Sequence, residues 1–386
     1  MHQKTSISRK NLGALPYSHK VRLQETHFGT MRGRGELALL AEIRARAARA
    51  GQIGGLRGGW RMGIGDDCAL VAPHKGEELA VTTDLSIDGR HFRLDWHQPE
   101  AVGHRALARG LSDLAAMGAR PVAAFLSLGL PRSLTVVPRR RPGGLRPGSR
   151  SEACSWVERF FDGFLALAEA HSTPLAGGDL AESPLAEADI VLVGAVPRGR
   201  ALLRSGAKPG DLLYITGTLG GAAAGLARLG ELAESRPGSS NPPRIPKKLE
   251  AELAPHLYPQ PRIRQGLWLQ RGGLASAALD VSDGLSTDLA HLCQESGVAA
   301  EVDAALLPVH PAATLDQALH GGEDYELVFT APATARLPRS IAGVKITRIG
   351  RIVKARRGEP ALKLLTPQGP RPFEPRGWEH FSLALF

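Results

Sequence analysis

Six short acidic stretches, each containing or flanked by glycine, serine or threonine, hold the residues best suited to chemistry. They are Gly65-Asp66-Asp67, Thr82-Thr83-Asp84, Ser112-Asp113, Gly177-Gly178-Asp179, Asp280-Val281-Ser282-Asp283-Gly284 and Gly321-Gly322-Glu323-Asp324. Hard cations such as magnesium take oxygen ligands and keep water and phosphate oxygens beside them. An aspartate next to a serine or threonine offers two kinds of oxygen at one point. A neighbouring glycine lets backbone N–H groups approach a phosphate closely. Several metal ions could then neutralise a polyphosphate with few cationic side chains. Taken singly, each stretch reads more readily as a turn or a cap. Asp283 suits a cap for the helix that follows it, and Asp113 suits an ion pair on a helix surface. The joint occurrence of six points to metal-assisted phosphoryl chemistry.

Other nucleotide chemistries lack their signatures. There is no GxxxxGK[ST] loop, so a P-loop is excluded. There is no HRD…DFG set and no Ser/His/Asp nucleophile elbow. No covalent nucleophile is expected, which leaves transfer driven by metal and position. Gly220-Gly221 with Gly225 resembles a phosphate loop only weakly and fits a helix packed closely on a strand.

The elements that must hold these stretches alternate between strand and helix, though not strictly. Amphipathic spacing predicts a helix over 36–51, and Pro99 suits the first turn of another over 99–118. Further helices are expected over 152–171, 219–230, near 261–272, and over 284–296. Strands are expected at 68–73, 78–84, 121–131, 188–197, 211–217, 276–281, 300–303, 325–330 and 344–353. Most of the acidic stretches lie at strand ends or helix starts, whereas Ser112-Asp113 falls inside the 99–118 helix. The pattern predicts an α/β (α+β mixed) fold of mixed sheets covered by helices. The 386 residues suffice for two domains: 34–200 and 201–386, after an added extension over 1–33 in which Met31 is an alternative start.

The net charge of +10 does not belong to the body of the chain. Residues 1–34 carry seven Lys or Arg against Glu25, and 131–150 carry six arginines and no acid. Those two segments exceed the whole imbalance, and no nucleic-acid module accompanies them. No nucleic-acid partner is expected. No run reaches the length of about 18 apolar residues that a membrane helix needs, and no signal-peptide core appears. A cytoplasmic protein with three reduced thiols, Cys68, Cys154 and Cys293, is expected.

The stretches recur in order within longer matches: GIGDDCALV, VTTDLSIDGRHF, ARGLSDLAAMGARP, AGGDL, RALLRSGAKPGDLLYITGTLG, LDVSDGLSTDL, GGEDYEL and GWEHF, from about residue 35 to the end. Together they resemble the thiamine-monophosphate kinase family, whose superfamily includes aminoimidazole ribonucleotide synthetase. The resemblance implies a two-domain aminoimidazole ribonucleotide synthetase-like fold and a homodimer. It implies ATP-dependent phosphorylation of thiamine monophosphate to thiamine diphosphate with several Mg2+ ions and no phosphoenzyme. It places metal ligands at Asp67, Thr82, Thr83, Asp84, Asp113, Asp179, Asp280 and Asp283. ATP contacts fall at Gly178, Asp179, Arg204 and Ser282, and thiamine contacts at His91, Glu323 and Trp378. An Arg204 guanidinium can grip phosphate bidentately, and Trp378 offers a flat face to a heteroaromatic cation. The extension, the Arg-rich loop 132–150 and the loop 235–248 are longer than the family pattern. The alternatives are another ATP-dependent enzyme of the superfamily, such as a ring-closing synthetase or a selenophosphate-forming enzyme, and a basic scaffold without activity. No reactive cysteine precedes Cys68, against the selenium enzyme, and the intact acidic stretches argue against the scaffold.

Overall fold

The computed structural model describes residues 36–49, 60–62, 68–136 and 154–377. All of them fall within one compact unit, Gly33–Phe386. The expected extension over 1–33, most of the Arg-rich loop, Asp67 and Trp378 lie outside the described residues.

The first half opens with α1 (Glu36–Arg49), β1 (Trp60–Met62), β2 (Leu70–Val71) and β3 (Glu77–Ile87). It continues through α2 (Pro99–Ala116), β4 (Arg120–Leu130), α3 (Trp156–Ala170), β5 (Leu175–Glu182) and β6 (Glu187–Pro197). A four-stranded sheet runs in the order β3-β6-β4-β5, with β4 and β5 parallel and the other pairs antiparallel. Helix α2 has Pro99 at its first turn and buries nearly its whole length. It lies directly on α3. A Cβ on Gly103 would stand 1.9 Å from the Phe160 carbonyl oxygen, and one on Gly163 would stand 1.9 Å from that of Glu100. These two glycines let the backbones meet. Helix α3 starts on a capping box between Ser155 and Glu158.

The second half comprises β7 (Leu212–Thr216), α4 (Gly221–Glu234), α5 (Glu250–Leu257), α6 (Ile263–Gly272) and β8 (Ala277–Asp280). After these come α7 (Leu285–Ser296), β9 (Val298–Asp303), α8 (Leu315–His320), β10 (Leu327–Ala331), β11 (Ser340–Ile341), β12 (Val344–Lys354), β13 (Leu362–Thr366) and β14 (Gly369–Pro372). Its mixed sheet runs β14-β13-β9-β12-β7-β10-β8, with β11 paired to β12. One apolar cluster spans both halves: Leu107, Leu111, Phe160 and Phe164 pack in the same core as Leu269, Phe329 and Ile346. A second core, built on Leu213, Leu279, Leu289 and Ile349, belongs to the larger sheet alone.

Two expectations are corrected. Gly177-Gly178-Asp179 is not a loop but part of β5. Thr82-Thr83-Asp84 lies inside β3, which runs on to Ile87. Helix α5 follows the predicted 235–248 loop and is not among the predicted helices, because Pro255 lies inside it. The mixed α/β class with helix-covered sheets is as expected. The three cysteines are free thiols, and no described helix is long and apolar enough to cross a membrane.

Candidate functional site

A cavity of about 550 Å³ lies between the halves, lined from one side by β3, the segment after it and α2, and from the other by α4 and the 280–284 and 321–325 loops. It gathers Asp84, Asp113, Asp280, Ser282, Asp283, His91 and Glu323 from the predicted set.

Helix α2 does most of the positioning. Arg105, Arg109, Ser112 and Asp113 follow the spacing i, i+4, i+7, i+8, so they form one polar stripe along α2. Asp113 accepts a hydrogen bond from the Thr82 hydroxyl. Ser112 Oγ donates to Asp280 Oδ2 at 2.6 Å, joining the halves at the acid end. Arg109 Nε donates to Asp84 Oδ1 at 3.3 Å.

The carboxylates at this end resist ionisation. Burial pushes Asp84 up to about 6; Asp113 and Asp189 add to this and Arg109 opposes it. Burial and the charge of Asp280 raise Asp113 to about 6, against Thr82, Arg204 and Arg109. Asp280 also rises to about 6, through burial and then Asp84, against Ser112 and Arg204. Removal from water and mutual repulsion thus leave a set of hard oxygen donors short of positive charge. Among the described residues no three His, Cys, Asp or Glu side chains are grouped closely enough to hold a metal ion by themselves.

Asp283 and Ser282 reach the cavity because Asp288 folds their loop. Its carboxylate accepts from the backbone N–H groups of both, at 3.0 and 3.1 Å. Asp283 is therefore not the helix cap; that position belongs to Gly284, at φ 108°. Gly377 packs on this loop, where an added Cβ would stand 2.0 Å from the Asp283 carbonyl.

The opposite end is built around Glu323. Arg105 donates to both of its carboxylate oxygens, at 2.7 and 2.8 Å, and to the His91 carbonyl at 3.1 Å. Burial pushes Glu323 upward, but Arg105 and Arg109 outweigh it and hold the carboxyl below its usual range. Behind Arg105 stand His256 and His97, with their Nε2 atoms 2.9 Å apart. Arg105 Nη1 lies 3.1 Å from His256 Nδ1, one proton is shared between the two Nε2 atoms, and His97 Nδ1 lies within hydrogen-bond distance of both the N–H and the carbonyl of Arg93, at 3.1 and 3.2 Å. Both rings are neutral. Burial, then the Arg105 charge, lowers His97 to about 3 and His256 well below its ordinary value. His91 Nδ1 accepts from the Ile87 N–H, leaving Nε2 as the protonated nitrogen.

The 323–326 run ties three carboxylates to separate partners, Glu323 to Arg105 as above. Asp324 accepts from the N–H groups of Gly220 and Ala222 at the start of α4. Glu326 pairs with Arg262 and accepts from Thr216 at 2.6 Å. Glu323 and Tyr325 adopt left-handed backbone, φ 66° and 51°, a strain that such anchoring sustains.

Other predicted residues stand apart. Thr83 alternates to the opposite face of β3 from Thr82 and Asp84, beside Val81 and Leu85. Gly178 and Asp179 lie on β5, three strand spacings from β3, or about 14 Å across a flat sheet. Gly178 is required there, since an added Cβ would meet the Leu126 carbonyl at 1.9 Å. Arg204 is exposed and does not line the cavity, yet its charge acts on Asp113 and Asp280. Arg105, Arg109, Asp288, Tyr325 and the histidine pair escaped sequence reasoning. The α2 stripe was the available signal for the first two. An acid in a helix's first turn was the signal for Asp288.

The chain matches the family model described as AIR synthase related protein, N-terminal domain, over residues 65–199, and the corresponding C-terminal domain model over 208–363. It is 38% identical to the thiamine-monophosphate kinase of Escherichia coli K12, covering 90% of this chain and 98% of that protein. It is 31% identical to the Bacillus subtilis enzyme, over 83% and 94%. The crystal structure of thiamine-monophosphate kinase from Stenotrophomonas maltophilia K279a aligns with a TM-score of 0.67 at 37% identity, covering 86% of this chain and 96% of that one. AaThiL complexed with AMPPCP and TMP aligns with a TM-score of 0.64 at 30% identity, covering 90% and 97%.

Proposed function

The chain belongs to the thiamine-monophosphate kinases of the AIR synthase related family, and from that premise we propose that its inter-half cavity is where ATP phosphorylates thiamine monophosphate to thiamine diphosphate. The enzyme is an ATP-dependent phosphotransferase. The observation that carries the assignment to this cavity is its polarity: under-neutralised carboxylates at one end, a fixed Glu323 carboxylate at the other.

Magnesium fits the acid end. Asp84, Asp113, Asp280 and Asp283 would hold it, with Thr82 orienting Asp113; the family pattern adds Asp67, and also Thr83 and Asp179, which lie on the outer face of β3 and on β5, away from this end. Bound there, the ions would neutralise the ATP phosphates and the charge that develops on transfer. Ser282, Gly178 and Arg204 would contact the nucleotide. Glu323, held ionised by Arg105, would face the substrate's cationic ring, with His91 and Trp378 as further contacts. Transfer would run directly, without a phosphoenzyme. Residues 34–200 would supply most of the metal site and 201–386 would complete it.

A homodimer forms part of this reading. The outer face of β3 exposes Leu79, Val81 and Leu85 at 44%, 61% and 44%, an apolar row that a second copy would cover together with Thr83. The cytoplasm, where ATP is made, is the proposed location.

The test is direct. Purified protein with ATP, magnesium and thiamine monophosphate should yield thiamine diphosphate and ADP in equal amounts. ADP without thiamine diphosphate would reject the acceptor.

A further inference from the structure

Arg105 and Arg109 stand one turn apart on α2, and they use their donors very differently. Arg105 spends both terminal nitrogens on Glu323, His256 and the His91 carbonyl. Arg109 uses only Nε, toward Asp84 at 3.3 Å. Among the described residues its two terminal nitrogens have no hydrogen-bond partner. A guanidinium has five N–H donors, and those of Arg109 not used by the protein open onto the cavity, where a ligand can take them. The side chain is only 19% exposed, and it lines the cavity.

Its place is as informative as its unused donors. Its charge is felt by Asp84 at the acid end and by Glu323 and Tyr325 at the other. Arg109 is thus the cation at the junction where a donor phosphate and an acceptor phosphate must meet. An acceptor phosphate there would face a field dominated by carboxylates, and metal ions held at the acid end would be engaged by the ATP phosphates. A planar fork of two N–H groups matches phosphate oxygens bidentately. The Asp84 contact at Nε fixes the plane of that fork.

We infer that Arg109 contacts the substrate directly, gripping the phosphate of thiamine monophosphate through its terminal nitrogens. The inference rests on the reading of the cavity given above. In the transfer, an acceptor phosphate oxygen forms the new P–O bond as the β–γ bridging bond of ATP breaks. The electron pair leaves on ADP, and Arg109 keeps its protons throughout.

The experiment compares thiamine monophosphate with thiamine, which shares the rings and lacks the phosphate. Calorimetric affinities for both are measured on the full chain and on Arg109→Met and Arg109→Lys. Arg109→Met should weaken thiamine monophosphate by about 10- to 100-fold and leave thiamine within about twofold. Its KM for thiamine monophosphate should rise in step while its KM for ATP holds. Arg109→Lys keeps the charge beside Asp84 but loses the fork, so it should recover part of the preference; it carries the test alone if Arg109→Met does not fold. Equal weakening of both ligands, an unchanged preference in both variants, or a rise confined to the KM for ATP overturns the inference. A wild-type chain that makes no thiamine diphosphate rejects the underlying functional reading instead, before any variant is compared.

Discussion

At the Glu323 end of the cavity, charged groups arrive with partners already in place: a bidentate arginine, two neutral imidazoles in series, and the Arg93 backbone closing the row. At the acid end, Asp84, Asp113 and Asp280 share one buried space and hold one another's charge in check. The first end is complete as folded. The second is short of cations, and folding has been made to tolerate that. A group that must hold a ring in one orientation benefits from rigidity, whereas a site that gathers ions and phosphates benefits from unmet charge.

The sharpest way to break this contrast is to neutralise one acid. Asp84→Asn or Asp283→Asn should lower kcat by about 100- to 1000-fold, with the melting temperature in chelator unchanged or raised. Each raised carboxyl keeps its proton up to about pH 6 in the fold, against about 3.8 when unfolded. Its contribution to metal-free stability therefore falls as pH rises from about 4 to 6 and stays lost above that. Asp113→Asn should remove part of this decline. A variant that keeps full activity would dismiss these acids as ligands.

Arg105→Met should do the reverse. It strands the Glu323 carboxylate and unhooks His256, at a cost of about 3 kcal/mol in chemical denaturation. Its KM for thiamine monophosphate should rise more than its kcat falls. Unchanged stability would mean that the Arg105–Glu323 pair is dispensable to the fold.

Proton competition gives a third, smaller effect. Ligands with pKa values of about 6 are free at pH 7.5 and mostly protonated at pH 5. Magnesium affinity by calorimetry should be flat above pH 7 and about tenfold weaker, or more, at pH 5. Equal affinity at both would contradict the assignment. The smallest effect is expected at Arg204. Removing this exposed cation as Arg204→Gln should raise the KM for ATP only a few-fold, and a loss comparable to that of Asp84→Asn would move Arg204 into the cavity's core chemistry.

Much of this was legible beforehand because local rules carry it. Pro99 and the apolar spacing announce α2, and Ser112-Asp113 sits inside that helix as expected. What stayed hidden depends on distant chain. A buried arginine at position 105 reads as a surface residue until its partner, 218 residues away, is in place. Gly177-Gly178-Asp179 has the composition of a turn, yet it is a strand, because β4 approaches so closely that only glycine fits at 178. Thr82-Thr83-Asp84 was read as a strand end. Once β3 is extended to Ile87, its period of two separates Thr83 from its neighbours. Pro255 hid α5 by breaking the pattern that normally marks a helix.

The three anchors of the 323–326 run also bear on how the chain folds. Glu323 closes onto α2 across 218 residues, Asp324 onto α4 across 104, and Glu326 onto β7 across 110. Contacts of such separation form late, after the loop-closure entropy has been met by other packing. The substrate end of the cavity should therefore appear only when both halves have docked. During refolding, binding of thiamine monophosphate should lag behind the recovery of helical signal. A chain stalled with one half formed would bind nothing, and so would not sequester its own substrate.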